Sequence, residues 1–568
     1  MKPYEKPLPG PKQTLSSEKD NDIRDCLTKR DIQGIRYCRN MELVWCALSP
    51  VIRCSENEEE NIEFWPGIIE DVWTKAEAVQ ITSPAPDVHD TVQRAPDDAP
   101  RPEITWKPQQ KRKYHIRFLA TECVRTLSDD DVLPYLAYAP PDPQVHKIHL
   151  LLSEVLMTPA AEELANTPEK MSPFDPLAAD ARPGDSSGYS RWKEAVVPYS
   201  LALQMASYMA GFWTPTDEWD CKFTINVPSN SEYPPDYVPS INDLLNSYTK
   251  GASPETVPKV ITQLRYQGLW WGAERIWTEE LVRLKLPRSQ FAPQGMDVVY
   301  PPASPSKSTL EWNKQQGFDA DSQRLGSGDK GLFMKIDGLF VVEVDNKEGS
   351  GQKVKECRAS GMIYELVDQD WEPPNGEGKE RVADHSAPAV VPPPQTRRSG
   401  ASPRSVSTPS TPNRKPRPVL TATYPLPDPP MGYKFNPILA PGHEVVLSLS
   451  LISGRYYPHL LTHPRLLKTL QHAAQVPVGG LDKSRHIWAM DGILPGIHQS
   501  MDPEYWKPTR GDMVLEADRA AREQFKFARE QIVKQEQETQ DHSMQDTFGD
   551  PGHSQGVSIA DSSISTHV

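Results

Sequence analysis

Residues 264–288 read LRYQGLWWGAERIWTEELVRLKLPR, with three tryptophans within eight positions. After Trp277 the apolar residues at 282, 284 and 286 alternate with Arg283 and Lys285. A period of two residues predicts a strand with one face buried and the other in solvent. The stretch 331–344 (GLFMKIDGLFVVEV) predicts a hairpin, because Asp337-Gly338 is a typical two-residue turn between strands. Together with 354–367, these stretches predict a β domain.

A second group of strand-like stretches lies upstream. Residues 42–48 (ELVWCAL), 62–73 (IEFWPGIIEDVW) and 114–119 (YHIRFL) are rich in aromatic and β-branched residues, which favour strands. Between the last two lies a segment rich in Pro, Asp and Gln without hydrophobic periodicity, which indicates an insertion. We therefore expect a small β unit ahead of the tryptophan-rich one.

Composition limits what the rest of the chain can do. The 58 prolines among 568 residues are about twice the usual share of ~5%, so long stretches should not pack. The formal charge of −15 argues against a chain that coats nucleic acid along its whole surface, although local basic patches remain open. No apolar run reaches 18 residues and the start lacks an apolar signal core, so neither a membrane span nor secretion is expected.

These patterns predict a mainly β fold with helical insertions, an α+β fold. The expected segments are a disordered N-terminus over 1–35, a small barrel over 36–138 with a disordered insertion at 76–112, a helical and loop connector over 139–260, the first part of a β domain over 261–371, a disordered Pro/Ser/Arg-rich insertion over 372–430, the completion of the β domain over 431–500, a C-terminal helix over 501–540 and a disordered tail over 541–568.

The C-terminal helix carries a narrow apolar stripe. Its members follow one another at steps of three or four residues, as one helical face requires. The stripe either recruits a partner helix or packs on the chain's own β units, and its alanines favour the second alternative. The stripe residues are Val514, Ala517, Ala521, Phe525, Ala528 and Ile532.

The familiar signatures of enzymes and cofactor sites are absent from the sequence. There is no Walker A, dinucleotide-binding, zincin or nucleophile-elbow motif. The seven cysteines include no C-x-x-C pair, which indicates buried reduced thiols, and His459 and His463 are flanked by prolines that disfavour a shared helical face. We predict a non-enzymatic protein without metal or cofactor. An enzyme whose site assembles only in space is the minor alternative.

Four blocks in the upstream unit carry a resemblance. ELVW at 42–45, FWPGI at 64–68, HIRFLAT at 115–121 and DVLP at 131–134 are similar, in this order, to the PWWP module of the Tudor-like chromatin proteins. The resemblance implies a small bent barrel and an aromatic cage for methyl-lysine, which maps here to Leu48, Trp65 and Phe118. Leu48 departs from the pattern because it has no π face. The alternative is that these side chains fill a small core.

A run of basic residues accompanies this unit. PWWP-like modules often place such a surface against DNA, whereas a basic run elsewhere is usually only solvated. We keep both interpretations open for this patch, which consists of Lys107, Lys111, Arg112, Lys113 and Arg117.

The tryptophan-rich unit, with its EELVRLK strand, resembles a bromo-adjacent-homology domain. The succession of RDIQGIRYCRNMELVWCALSP, GLWWGAERIWTEELVRLKLPR, GLFMKIDGLFVVEV, ECRASGMIYELV and EVVLSLSLISGRYYPHLL resembles the fungal cryptic loci regulator 2 family. That resemblance implies a non-enzymatic silencing subunit of the SHREC heterochromatin complex, which joins a histone deacetylase to a chromatin remodeller.

The Pro-rich insertion contains two basic clusters and two Ser/Thr-Pro sites. The clusters are compatible with nuclear import, and phosphorylation beside them would add negative charge. The residues are Arg397, Arg398, Ser402, Thr411, Arg414, Lys415 and Arg417.

We therefore expect a nuclear scaffold that binds other subunits of a deacetylase and remodeller complex. Nucleosomes or DNA are further expected partners, whereas no membrane or small-molecule substrate is expected. The alternative is a stand-alone histone methyl-lysine or nucleosome reader in another chromatin complex. Binding of one methylated peptide would favour that alternative.

Overall fold

The structure is a computed structural model that describes residues 2–5, 8–9, 17–27, 38–82, 104–168, 170–178, 189–228, 256–317, 325–345, 353–373, 424–475 and 484–548. Two sheets and the helices packed on them make up this part of the chain. The strands are β1 (Lys2–Glu5), β2 (Leu8–Pro9), β3 (Leu43–Ile52), β4 (Ile62–Thr82), β5 (Ile104–Phe118), β6 (Val124–Ser128), β7 (Val132–Pro134), β8 (Phe212–Pro228), β9 (Thr256–Trp271), β10 (Glu274–Trp277), β11 (Leu281–Pro287), β12 (Gly331–Asp345), β13 (Lys353–Asp368), β14 (Tyr433–Pro437), β15 (His443–Ser448), β16 (Ile452–Arg455) and β17 (Tyr505–Trp506).

The helices lie mainly between and after the sheets. They are α1 (Ser17–Leu27), α2 (Asp142–Val155), α3 (Pro159–Asn166), α4 (Tyr189–Ala210), α5 (Lys307–Gln315), α6 (Pro464–Gln475), α7 (Arg485–Met490) and α8 (Arg510–Phe548). The prediction of a mainly β fold with helical insertions is confirmed.

The first sheet has five antiparallel strands in the order β6-β5-β4-β3-β7. The second has twelve strands along the path β1-β15-β13-β12-β9-β8-β17, with β10, β11, β14, β16 and β2 attached beside it. Neither sheet closes on itself through the pairings of the described residues. The expected small barrel is therefore corrected to an open sheet.

Strand β12 corrects the hairpin predicted at Asp337-Gly338. Residues 331–345 form one strand that pairs with β13 along its length, and the register shifts between Ile336 and Gly338. The dipeptide therefore forms a bulge, which accommodates an extra residue without turning the chain. The half-buried strand predicted after Trp277 is also corrected, because Arg283 is as buried as its apolar neighbours.

Several segments expected to lack structure are ordered. The N-terminal stretch forms β1, β2 and α1. Strand β1 pairs with β15 and β2 pairs with β8, so the larger sheet supplies the partners that order this stretch. The first sheet's hairpin continues to Thr82 and resumes at Ile104, so only 83–103 of the expected insertion lies outside the described residues. The connector expected over 139–260 contains β8 and the start of β9. Helix α8 continues to Phe548, beyond the expected end at 540.

Helix α8 packs on α4 and α3 along the predicted stripe. Ala517, Ala521 and Phe525 are fully buried, and Ala528 and Ile532 pack against the main core. Small side chains on the stripe let the two helix axes approach closely. Docking within the chain is the arrangement that the structure adopts.

The two sheets are joined through the carboxylate of Glu42, which precedes β3 and is buried. Its oxygens accept hydrogen bonds from the backbone N–H groups of Arg39 and Arg275, each at 2.8 Å. The guanidinium of Arg455 lies 3.2 Å from the same carboxylate. Because Arg275 belongs to β10 and Arg455 to β16, one side chain of the first sheet holds two strands of the second.

Further buried charges continue this junction. The carboxylate of Glu274 accepts the backbone N–H of Arg455 at 2.6 Å and the hydroxyl of Tyr457 at 2.9 Å. Burial raises the pKa of Glu274, and the neighbouring Arg455 and Arg283 oppose that shift. Arg39 in turn pairs with the Glu280 carboxylate through its two terminal guanidinium nitrogens, Nη1 and Nη2. Each charge in this network therefore has a partner that compensates for its removal from water.

The first sheet also contacts the start of α6, through the turn 129–131 between β6 and β7. His463, just before α6, donates a hydrogen bond from Nε2 to the backbone carbonyl of Asp129 at 2.9 Å. Arg465 binds Asp131 at 2.8 Å. Burial raises the pKa of the Asp129 carboxyl to about 6, although the Tyr114 hydroxyl and the charge of Arg112 act in the opposite direction.

We expect Glu42→Ala to lower the free energy of unfolding by about 3–5 kcal/mol, since it leaves Arg455 and two backbone N–H groups buried without their acceptor. Urea denaturation measures this change. As a control, Glu523→Ala removes an exposed carboxylate of α8 and should stay within about 0.5 kcal/mol of the parent chain. A decrease below about 1 kcal/mol for Glu42→Ala would contradict the role of Glu42.

We expect Asp129→Asn to stabilise the chain more at pH 8 than at pH 5. The folded pKa of about 6 lies above the unfolded value of about 3.9, so the native state favours the protonated carboxyl. In the parent chain, the stability that comes from the protonated Asp129 carboxyl is fully present below about pH 4 and is lost as the pH rises through 6. The difference in Tm between variant and parent should therefore grow from pH 5 to pH 8, by the equivalent of about 1–2 kcal/mol. A difference independent of pH would refute it, since His463 titrates in both proteins.

Candidate functional site

The outer face of the β4–β5 hairpin combines exposed aromatic and basic side chains. On β5, Tyr114, Ile116 and Phe118 are buried, so the alternating residues between them lie on the opposite face. We call this surface the ribbon face and define it by Trp73, Lys75, Lys111, Lys113 and His115. The cross-strand register pairs Trp73 with Lys113, Lys75 with Lys111, and Asp71 with His115.

Charge on the ribbon face is only partly compensated. Lys75 and Lys111 lie directly opposite each other, a like-charge pairing that destabilises a sheet. Glu77 lies 3.8 Å from the Lys75 ammonium and 3.6 Å from that of Lys113. The Trp73 ring is exposed, and its centroid lies 6.4 Å from that of His115. The face therefore offers several cations beside an accessible aromatic ring.

The structure brings part of the predicted basic patch together here. Lys111, Lys113 and Arg117 share the outer face, and Arg117 forms an ion pair with Glu70 at 2.8 Å. Arg112 belongs to the other face and lies near Asp129, so it is separated from the patch. Lys107 pairs with Val79 through the backbone, and its side chain lies outside the described residues.

The aromatic cage is corrected. Leu48, Trp65 and Phe118 lie on the adjacent strands β3, β4 and β5, but all three side chains are buried in the main core. The indole N–H of Trp65 donates to the carbonyl of Leu119 at 3.0 Å, and its ring packs against Tyr199 at 4.9 Å. A methylammonium group cannot reach rings that are already packed on helix α4. The alternative, an aromatic core, is what the structure shows.

Two tryptophans of residues 264–288, Trp270 and Trp277, form a stacked ladder with two arginines. The Arg275 guanidinium lies 4.0 Å from the Trp277 ring centroid and 5.1 Å from that of Trp270. The guanidinium of Arg510, at the start of α8, lies 4.4 Å from the Trp270 ring centroid. Gly268 sits beneath Trp277, where a Cβ would lie 2.6 Å from the ring. We call Trp277, Arg275, Trp270 and Arg510 the Trp–Arg ladder.

The ladder was not predicted from the sequence. Arg510 donates hydrogen bonds to the carbonyls of Gly272 and Met41, at 2.7 and 2.9 Å, and burial lowers its pKa to about 9. The residue that could have indicated the ladder is Arg275, which directly precedes Ile276 and Trp277 in β10, a strand whose four residues are all buried. The ladder ties α8 to both sheets.

The import and phosphorylation residues lie outside the described residues, from Arg397 to Arg417. Across the ranges that are described, no group of three His, Cys, Asp or Glu side chains could hold a metal ion, and no helix is long and apolar enough to cross a membrane. Cys38 and Cys46 are buried, and burial raises the pKa of both thiols well above the usual value. Such thiols are poor nucleophiles.

Comparison with known proteins gives two matches. A solved structure titled "Structure of Clr2 bound to the Clr1 C-terminus" matches with a TM-score of 0.29 and 10% identity, over 87% of this chain and 60% of that chain. That score is too low to assign a shared overall fold, and the chain spans less than two thirds of the matched one. No curated protein matches. Residues 266–458 match the family model of the transcription-silencing protein Clr2, which confirms the resemblance drawn from the sequence.

The matched residues run from within β9 to just past β16, and they contain Trp270, Arg275 and Trp277 of the Trp–Arg ladder. Glu274 and Arg455, which complete the junction around Glu42, lie in the same span. Over residues 266–458, this chain is therefore similar to the family of the transcription-silencing protein Clr2.

Proposed function

We propose that this chain is a non-enzymatic nuclear scaffold that helps to assemble a histone deacetylase and a chromatin remodeller for transcriptional silencing. The observation that supports this role is the nature of the family-matched residues. Several of their charged side chains, including Glu274, Arg283 and Arg455, are buried and bind one another or backbone groups. Such groups stabilise a rigid body and are not open to a substrate.

A scaffold acts by effective concentration. Two subunits that bind one rigid body meet each other as an intramolecular pair, so weak contacts become sufficient. The buried junction at Glu42 and the Trp–Arg ladder favour this mechanism, because they fix both sheets and α8 relative to one another. Partner surfaces on the two sheets would then keep a constant separation.

We further propose that the ribbon face contacts nucleic-acid phosphates. The directly opposed Lys75 and Lys111 repel each other in the free protein, and an anion between them would relieve that repulsion. The exposed Trp73 beside Lys113 adds an aromatic surface to the cations. A two-stranded ribbon is also narrow enough to enter the major groove of DNA.

We expect the tagged full-length chain to recover histone deacetylase and remodeller subunits from nuclear extract, identified by mass spectrometry. The eluate should deacetylate an acetylated histone peptide, whereas the recombinant chain alone should not. Recovery of neither enzyme by a chain with a cooperative thermal transition would overturn the scaffold. Binding of the recombinant chain to one methylated histone peptide would instead favour the reader alternative.

We expect Lys75→Glu to weaken binding to a DNA duplex of about 20 base pairs by about tenfold. The slope of the logarithm of the binding constant against the logarithm of the salt concentration should also decrease, by about 0.9 for each phosphate that the variant no longer binds. The same change places opposite charges at 75 and 111 but also replaces the Lys75–Glu77 ion pair by two neighbouring carboxylates, so the free energy of unfolding should change by less than about 0.5 kcal/mol. Fluorescence anisotropy and urea denaturation measure the two effects.

The matched control is Lys526→Glu, which makes the same charge change at an exposed position of α8. It should alter DNA affinity less than twofold. Equal weakening by both variants would show that only net charge matters and would refute a site on the ribbon face.

A further inference from the structure

An open cavity of about 500 Å³ lies where strand β13 ends, beside the first turn of α5. It belongs to the residues that match the family model, and it shares no residue with the ribbon face or the Trp–Arg ladder. A Cβ at Gly432 would meet no atom within 4 Å, so the space above this residue is free. We call this cavity the α5 pocket, and its lining residues include Ser308, Thr309, Asp368, Asp370, Gly432 and Tyr433.

Two carboxylates of the α5 pocket are held by the helix. The hydroxyl of Thr309 donates to Asp368 at 2.8 Å, and that of Ser308 donates to Asp370 at 2.6 Å. The two acids are two residues apart at the end of a strand, so their side chains leave the chain on the same side. Hydroxyl donors fix the positions of these carboxylates but leave their negative charge in place.

The charge of the α5 pocket is not neutralised by an ion pair. Neither Asp368 nor Asp370 forms a salt bridge with any residue that the structure describes. The Lys330 ammonium lies 5.1 Å from the Tyr433 ring centroid and interacts with the charge of Asp368, so Asp370 is the less compensated acid. Mainly because Ser308 donates to it, the pKa of Asp370 is lowered, and the carboxylate is charged at neutral pH. A bound cation would reduce the repulsion between the two acids.

An exposed aromatic ring lies next to the α5 pocket along the helix. Trp312 follows Ser308 by four residues and Thr309 by three, so it lies on the same face of α5, one turn further along. Its side chain is 57% exposed. A guanidinium suits this combination, because it is planar, carries five donors, binds carboxylates through pairs of hydrogen bonds and stacks on aromatic rings. A lysine ammonium has the same charge without the plane, so the α5 pocket favours arginine.

The chain itself carries arginines that can reach the α5 pocket. The Pro-rich insertion begins beside it, because Pro373, the last described residue before the insertion, follows Asp370 by three positions. Residues 397–417 of the insertion contain six Lys and Arg and no Asp or Glu. The first of them is 24 positions after Pro373, and a chain can span up to about 3.3 Å per residue, so its length does not prevent contact. Attachment to the same chain also gives these arginines a high effective concentration at the pocket.

We propose that the α5 pocket binds an arginine side chain from residues 397–417 of the same chain. The charges are complementary, because the pocket has two carboxylates and the ionisable groups of the segment are all basic. Binding would cover part of the basic clusters that the sequence associates with nuclear import. Occupation of the pocket and recognition of the same arginine by another protein would therefore exclude each other.

The test uses a fluorescein-labelled peptide of residues 395–417 and two full-length chains. One is the parent, and the other, the arginine-free chain, has five substitutions in the insertion, which are Arg397→Gln, Arg398→Gln, Arg404→Gln, Arg414→Gln and Arg417→Gln. The arginine-free chain should bind the peptide at least about tenfold tighter, because the parent's own segment competes for the pocket. A peptide with lysine at its five arginine positions should bind at least about fivefold weaker. Fluorescence anisotropy at about 150 mM salt measures these affinities.

Two matched variants of the arginine-free chain separate the α5 pocket from net charge. Asp370→Asn and Glu372→Gln each remove one carboxylate charge, but Glu372 is exposed and does not line the pocket. Asp370→Asn keeps an oxygen acceptor for the Ser308 hydroxyl, so the first turn of α5 should persist. It should weaken peptide binding at least about fivefold, whereas Glu372→Gln should change it less than about twofold. If Asp370→Asn lacks a cooperative thermal transition, Trp312→Ala replaces it and should weaken binding about threefold.

Failure of the arginine-free chain to bind the peptide would overturn the proposal. Equal affinities of the parent and the arginine-free chain would overturn it as well, since the segment would then not occupy the pocket. Equal effects of Asp370→Asn and Glu372→Gln would show that only net charge matters, and equal affinities of the arginine and lysine peptides would exclude a guanidinium site. None of these measurements involves a deacetylase or DNA, so failure of the α5 pocket and failure of the proposed function are distinguishable.

Discussion

The carboxylate of Glu42 determines how the two sheets of this protein meet. It is buried, and it accepts hydrogen bonds from two backbone N–H groups that belong to different parts of the chain. Such groups have fixed positions, so they hold the carboxylate and the segment that carries it. The next residue, Leu43, donates from its backbone to the carbonyl of Ala273 at 3.1 Å, which adds a backbone hydrogen bond between the two sheets. The position of the first sheet thus follows from one side chain and the strand that begins beside it.

Buried arginines are the main means by which this fold connects distant segments. Arg510 joins α8 to the loops before β3 and β10, and Arg283 donates to the carbonyls of Arg455 and Ala489. A guanidinium has five donors in a plane, so it can bind several carbonyls and still stack on a ring, as Arg510 does on Trp270. Hydrophobic contacts alone would leave these orientations less specific. The arginines therefore convert two sheets into one rigid body.

Much of the fold was predictable because its signals are local. The strands around Trp45, Trp65 and Trp270 follow from aromatic and β-branched content, and the stripe of α8 follows from helical spacing. The Gly338 bulge was mistaken for a turn, because Asp-Gly has the same local preference in both and only the pairing of β13 along β12 decides between them. Burial of Arg283 was also hidden, since alternation cannot separate a solvated cation from one bonded to remote carbonyls.

The candidate surfaces show the same limit. Cross-strand register places Lys75 opposite Lys111, and no property of either residue's neighbours in sequence reveals that pairing. The burial of Trp65 against Tyr199 depends on α4, which lies more than a hundred residues away along the chain. An aromatic residue in a small β unit has the same sequence pattern whether it faces solvent or a docked helix. What decides between a ligand site and a core in this protein is which remote segment covers the ring, and α1 covers Trp277, whose ring packs with Ile23 and whose indole N–H donates to Asp22.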